Sequence, residues 1–195
     1  MSGAHKGSAF ERHICKELSL WWTAGESDAI FWRSSQSGGR ATQRAKSGKV
    51  TPNSYGDIAA LDPIGEPLLK FATFELKRGS TQGTPWDIFE SAPSDAVRPF
   101  EHALLQARSS SVDAGSLGWA LIVKRDRKEA IIYLDSASHR RLGVEWNVPS
   151  VRFKLETSRD HFHFVAVGLK EWLKRVSPDV IKACLTAGQS WRQCI

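Results

Sequence analysis

Residues 55–77 read YGDIAALDPIGEPLLKFATFELK, and the reading of the whole chain starts from them. Two apolar runs flank a segment dense in turn residues. Tyr55–Leu61 predicts a strand, Asp62–Pro67 (DPIGEP) a turn, and Leu68–Lys77 a second strand, together a hairpin. Alternate residues of a strand share a face, so Glu75 and Lys77 point the same way. The hairpin brings Asp57, near the start of the first strand, beside Glu75 at the end of the second. Two carboxylates side by side repel each other unless a cation lies between them. Oxygen ligands suit a hard divalent ion. Taken alone, the same residues also describe a set of surface salt bridges on a hairpin.

Outward from this segment, Phe10, Ile14, Leu18 and Trp21 recur at helical spacing and predict a helix over Ser8–Trp22, with Arg12, Lys16 and Ser19 on its other side. Glu11 falls at the border of the apolar stripe. Trp22 is placed beside it. Ala29–Arg33 reads as a short strand. From Arg33 to Gly56 there are five basic residues, Arg33, Arg40, Arg44, Lys46 and Lys49, and no acidic one. That composition reads either as a solvated loop or as a loop that contacts phosphates. Residues 79–95 read as a second loop, followed by a helix over Val97–Ser110. Strands over Trp119–Lys124 and Ala130–Leu134 come next, joined by the charged tip Arg125–Lys128. Val151–Glu156 and Phe162–Val167 read as strands and Leu169–Arg175 as a helix. Ser177 caps a further short helix that has Pro178 in its first turn. The order predicts an α/β fold, a mixed central sheet flanked by helices, in a single domain. Residues 1–150 form its core and 151–195 an appendage packed on it.

Composition narrows the partners. With 195 residues the chain is long enough for one real core. A net charge of +6 favours a polyanion. Three cysteines, Cys15, Cys184 and Cys194, include no CxxC pair, which argues against a disulfide scaffold or a cysteine-rich zinc site. A reducing compartment follows. No apolar run approaches membrane-spanning length and no signal peptide is apparent, so the expectation is a cytoplasmic protein. Phosphodiester hydrolysis would give the acids and the lysine a use. A metal neutralises phosphate charge and activates a water, while a nearby lysine orients that water or stabilises developing charge.

Four stretches, in this order, resemble one family. Gly7-Ser-Ala-Phe10-Glu11-Arg12 resembles the G-x-x-F-E-R opening of Holliday-junction resolvase-like nucleases of the PD-(D/E)xK superfamily. Arg33-Ser-Ser-Gln-Ser37-Gly38 resembles their R-x-x-x-S-G segment, Gly56-Asp57-Ile58 their G-D-I or P-D-I strand, and Glu75-Leu76-Lys77 their ExK. The resemblance implies a restriction-endonuclease-like core (αβββαβ) and a metal-dependent DNA endonuclease. Asp57 and Glu75 would bind Mg2+ or Mn2+ with help from the Leu76 carbonyl. Lys77 would be the catalytic lysine, and Glu11 an accessory acid reaching the metal directly or through water. Ser37 would lie near the scissile phosphate. Arg33, Arg40, Arg44, Lys46, Lys49 and Arg78 are the expected DNA contacts, and Gln106 a candidate for positioning water. A proline before the aspartate, frequent in the family, is replaced here by Gly56, and the basic loop is longer than in compact resolvases. A resolvase implies a homodimer. A restriction- or repair-type nuclease, a non-catalytic DNA-binding module and an RNA nuclease are the competing readings. Glu17, Glu26 and Asp28 compete with Glu11. His161 and His163, on one face of a strand, read as structural.

Overall fold

A computed structural model of the chain describes residues 3–34, 55–79, 84–88, 98–145, 147–156 and 161–192. The elements in chain order are α1 (Gly3–Trp22), β1 (Phe31–Arg33), β2 (Ile58–Ala60), α2 (Glu66–Phe71), β3 (Ala72–Arg78), α3 (Pro99–Ala114), β4 (Gly118–Lys124) and β5 (Ile131–Asp135). There follow α4 (Ser136–Arg141), β6 (Ser150–Glu156), β7 (His161–Gly168), α5 (Leu169–Arg175) and α6 (Pro178–Arg192). The fold is mixed α/β. Its main sheet has five strands in the order β3-β4-β5-β7-β6, and β1 and β2 form a separate two-stranded ribbon. β3 and β4 run parallel, and every other pairing in the sheet is antiparallel.

The expected hairpin is not what the chain forms. β2 pairs with β1, Arg33 opposite Ile58, and β3 pairs with β4, Lys77 opposite Val123. The reason lies in the segment between β2 and β3. Asp62 accepts from the Ile64 amide at 2.9 Å and caps a 3-10 turn over Pro63–Gly65. Pro67 stands in the first turn of α2, where its missing N–H costs nothing. Leu68 and Phe71, three apart, are both fully buried, which is the helical period and not the strand period. The run that reads as a strand start is therefore a helical turn and a half. It turns the chain back before β3 begins.

Three further differences have local causes. Ser19 faces the core, not solvent. Its hydroxyl donates to the Cys15 carbonyl at 2.8 Å and accepts from the Phe31 amide at 2.9 Å, stitching α1 to β1. A short α4 appears where no helix was expected, because the Asp135 carboxylate accepts from the Ser138 amide at 2.8 Å. The helix opened by Ser177 is α6, 15 residues long rather than short.

Two hydrophobic layers enclose the sheet. On one face, Phe10, Ile14 and Leu18 of α1 pack with Leu68, Phe71, Leu169, Trp172 and Ile181 over Phe74, Leu76, Ala120, Ile122, Ile132 and Val167. On the other, Phe100, Ala103, Leu104 and Ala107 of α3 pack over Trp119, Leu121, Val123, Tyr133 and Phe164. The alternation along β4, with residues 119, 121 and 123 on one side and 120 and 122 on the other, is the period-2 pattern of a strand buried on both faces. Among the described residues no helix is long and apolar enough to cross a membrane.

Candidate active site

β3 sets the site. Phe74 and Leu76 anchor it to the α1 layer, so Thr73, Glu75 and Lys77 face the opposite way, toward α3. Glu75 is 1% exposed and Asp57 9%. Asp57 arrives from the ribbon and not across a hairpin. Its amide donates to the Phe74 carbonyl at 2.8 Å, and its Oδ2 accepts from the Leu76 amide at 2.8 Å. Gly56 makes this approach possible. Its φ is +70°, and a Cβ there would lie 2.5 Å from the Phe74 oxygen and 2.8 Å from Thr73 Cγ2. Only glycine meets both conditions without strain. Ser34, the residue after β1, clamps the same dipeptide. Its amide donates to the Asp57 carbonyl at 2.9 Å, and its hydroxyl to the Gly56 carbonyl at 2.6 Å.

Lys77 turns back over the acids. Its Nζ donates to Glu75 Oε1 at 2.6 Å and to Gln106 Oε1 at 2.9 Å. The other oxygen of Glu75, Oε2, is buried and accepts no hydrogen bond. Burial, and after it the negative charge of Asp57, push the Glu75 carboxyl up to about 8 against the pull of Lys77. Burial also raises Asp57, although the Leu76 amide and Lys77 pull it down. A buried carboxylate pair with one oxygen left without a donor is an arrangement that a cation relieves. By that measure the residues fit a hard divalent ion. Among the described residues there is no cluster of three or more His, Cys, Asp or Glu side chains that could hold a metal, so the described acids that meet at this point are Asp57 and Glu75.

Glu11 is on α1 as expected, but its carboxylate pairs with Arg33 Nε. The negative charge of Glu11 is a minor contributor to the raised Asp57. Arg33 thus holds an acid of the site region. Arg78, one residue beyond Lys77, faces away from it. Its guanidinium lies 6.0 Å from the Phe10 ring and 4.0 Å from Asp126. Ser37, Arg40, Arg44, Lys46 and Lys49 lie outside the described residues. Trp22 does not flank Glu11. Eleven residues of helix separate the two by about 16 Å. Its indole donates to the Ile64 carbonyl at 2.8 Å and meets Phe31 edge-on. Trp21 donates to the Val176 carbonyl at 3.0 Å and packs on Trp172. His161 and His163 are exposed on one face of β7, which β4 and β5 separate from β3 in the sheet order.

Sequence reasoning passed over Ser34 and the structural need for Gly56. The glycine before the aspartate was a usable signal, since an invading backbone tolerates no side chain. Ser34 carried none, because its partners are 22 residues away. Gln106 was singled out for water, and the structure places its amide oxygen on Lys77.

A five-stranded mixed sheet between helices, with an Asp and an ExK meeting at β3, defines the class: a restriction-endonuclease-like fold of the PD-(D/E)xK superfamily. The family described as "Phage putative PDDEXK endonuclease" matches residues 2–183, and the chain belongs to that family. No curated protein and no solved structure matches the chain.

Proposed function

We propose that the protein is a divalent-metal-dependent DNA endonuclease, with Asp57, Glu75 and Lys77 at its centre. The observation that carries the reading is the buried Asp57–Glu75 pair, with the orphaned Glu75 Oε2 and the Lys77 ammonium on the other oxygen. Asp57 and Glu75 would hold Mg2+ or Mn2+, with the Leu76 carbonyl as a third oxygen and Glu11 contributing through water. Bound there, the ion supplies charge neutralisation at the phosphate and a water of lowered pKa. The chain's own groups do the rest. Lys77, steadied by Gln106, presents a positive charge where negative charge develops on the phosphate. Arg33 exchanges Glu11 for a phosphate oxygen when DNA arrives, and the basic residues between it and Gly56 extend that contact. Sheltering the acids against the sheet keeps bulk water off the reacting group.

Within this reading we favour a structure-specific nuclease that acts as a homodimer, because the ordered resemblance of residues 7–77 is to resolvase-like enzymes. A restriction- or repair-type enzyme acting on linear duplex is the nearest alternative. The test is purified protein with four-way junction, flap and linear duplex, in Mg2+ and in EDTA, beside the Glu75→Ala variant. Cleavage is expected in Mg2+ only, to be lost in the variant, and to be fastest on the junction. Equal cutting of all three substrates removes the resolvase element. DNA binding that survives EDTA with no cleavage in any divalent ion leaves a binding module instead.

A further inference from the structure

The turn between β4 and β5 has no part in the site as described, yet it stands next to it. In the parallel ladder Lys77 lies opposite Val123 and Arg78 opposite Lys124. The Gly79 amide donates to the Lys124 carbonyl at 3.2 Å, so the pairing continues to the mouth of the turn. Adjacent strands lie about 4.8 Å apart and rise about 3.3 Å per residue. Arg125 thus has its Cα within roughly 10 Å of that of Lys77. The turn itself is tight, closed by the Lys128 amide on the Arg125 carbonyl at 3.2 Å, with Lys124 Nζ folded back onto the Lys128 carbonyl.

Charge is segregated within this turn. Four of its five residues from Lys124 to Lys128 are basic. The one acid among them, Asp126, faces Arg78 at 4.0 Å. The acid that follows, Glu129, is taken by Lys170 at 3.1 Å. Arg125, Arg127 and Lys128 are exposed, and among the described residues no acidic side chain pairs with them. Arg127 also sits at φ +60°. That left-handed position is one a glycine fills at no steric cost, and here it carries a guanidinium at the tip of the turn. With Asp126 facing Arg78 and Glu129 facing Lys170, the three cations at the tip are left to solvent or to an anionic ligand.

We propose that the Arg125–Lys128 turn is a second phosphate-binding surface, gripping the backbone of the DNA close to the phosphate over Lys77. The inference rests on the DNA-cleaving reading above. Neighbouring phosphates of one strand follow the duplex at a spacing comparable with this distance, so long side chains on the turn reach the phosphates that flank the scissile one. Arg78 and Asp126 then form a balance: the acid holds Arg78 toward the turn and subtracts from its charge.

The test is fluorescence anisotropy on a labelled duplex across 50–200 mM NaCl, with the full chain and EDTA present. The triple variant Arg125→Ala/Arg127→Ala/Lys128→Ala should lose about tenfold or more in affinity. Its slope of log K against log salt should shrink by roughly 0.9 for each phosphate contact removed. Asp126→Asn should move the other way and bind more tightly, a change that loss of fold could not produce. Unchanged affinity and slope in the triple variant, with wild type binding normally, overturns the turn's role alone. Absence of DNA binding by wild type overturns both this proposal and the reading it rests on.

Discussion

At the scale of single residues, the proposed chemistry turns on one carboxyl, Glu75, which is 1% exposed. Burial and the neighbouring Asp57 raise Glu75 from 4.5 to about 8. Between those values the folded chain keeps a proton that the unfolded chain has released. Linkage then fixes the sign of this group's contribution: without metal it is fully present below about pH 4.5 and is lost as pH rises toward 8, by at most about 1.4 kcal/mol per pH unit for the one proton. Asp57, raised in the same sense, adds to the trend. Urea unfolding in EDTA at pH 5, 6, 7 and 8 should show this decline, and Glu75→Gln should flatten it. A pH dependence left unchanged by Glu75→Gln would mean that Glu75 does not keep its proton through that range. The ExK spacing was legible because the strand period fixes which residues share a face. That Lys77 would also rest on Gln106, 29 residues on, was not, since only packing of α3 over β3 brings those positions together.

At the scale of elements, the ribbon β1–β2 and strand β3 meet through one dipeptide. Gly56 presents its backbone where any side chain would strike Phe74 and Thr73, and it does so at a left-handed φ. Gly56→Ala is expected to cost about 1–2 kcal/mol from the backbone angle alone, with the clash added. It should also reduce cleavage sharply, because Asp57 is carried on the displaced strand. Thermal or urea unfolding together with the cleavage assay checks both. A variant as stable and active as wild type refutes the packing account. The element between β2 and β3 is where reading the sequence failed. Asp-Pro and Glu-Pro signal a chain reversal equally well for a hairpin or for a capped helical turn. An apolar run as short as Leu68–Phe71 does not discriminate between strand and helix by period. The strands after α3 were legible because Trp119–Val123 and Ile131–Leu134 are unbroken apolar runs, the pattern of strands covered on both faces.

At the scale of the whole molecule, the acids sit where three bodies join: α1 with its ribbon, the five-stranded sheet, and α3. An ion that binds the folded pair and not the unfolded chain stabilises the entire fold, by about 2.7 kcal/mol at a hundredfold excess over its Kd. Mg2+ or Mn2+ should therefore raise the melting temperature, EDTA should reverse the rise, and Glu75→Gln should abolish it. A melting temperature indifferent to divalent ions in wild type sinks the metal site. Sheet order lay beyond the sequence. The neighbours β5 and β7, and the parallel join of β3 to β4, are long-range pairings that local pattern does not encode.

Ser34 and Gly56 have one more implication. The polypeptide departs from Ser34 and returns at Gly56, and those two residues are bolted to each other, hydroxyl to carbonyl, directly under Asp57. Whatever length or composition the intervening stretch has, its two ends are fixed at the same point. The clamp works as a spot weld, holding the backbone that carries Asp57 fast to the end of β1.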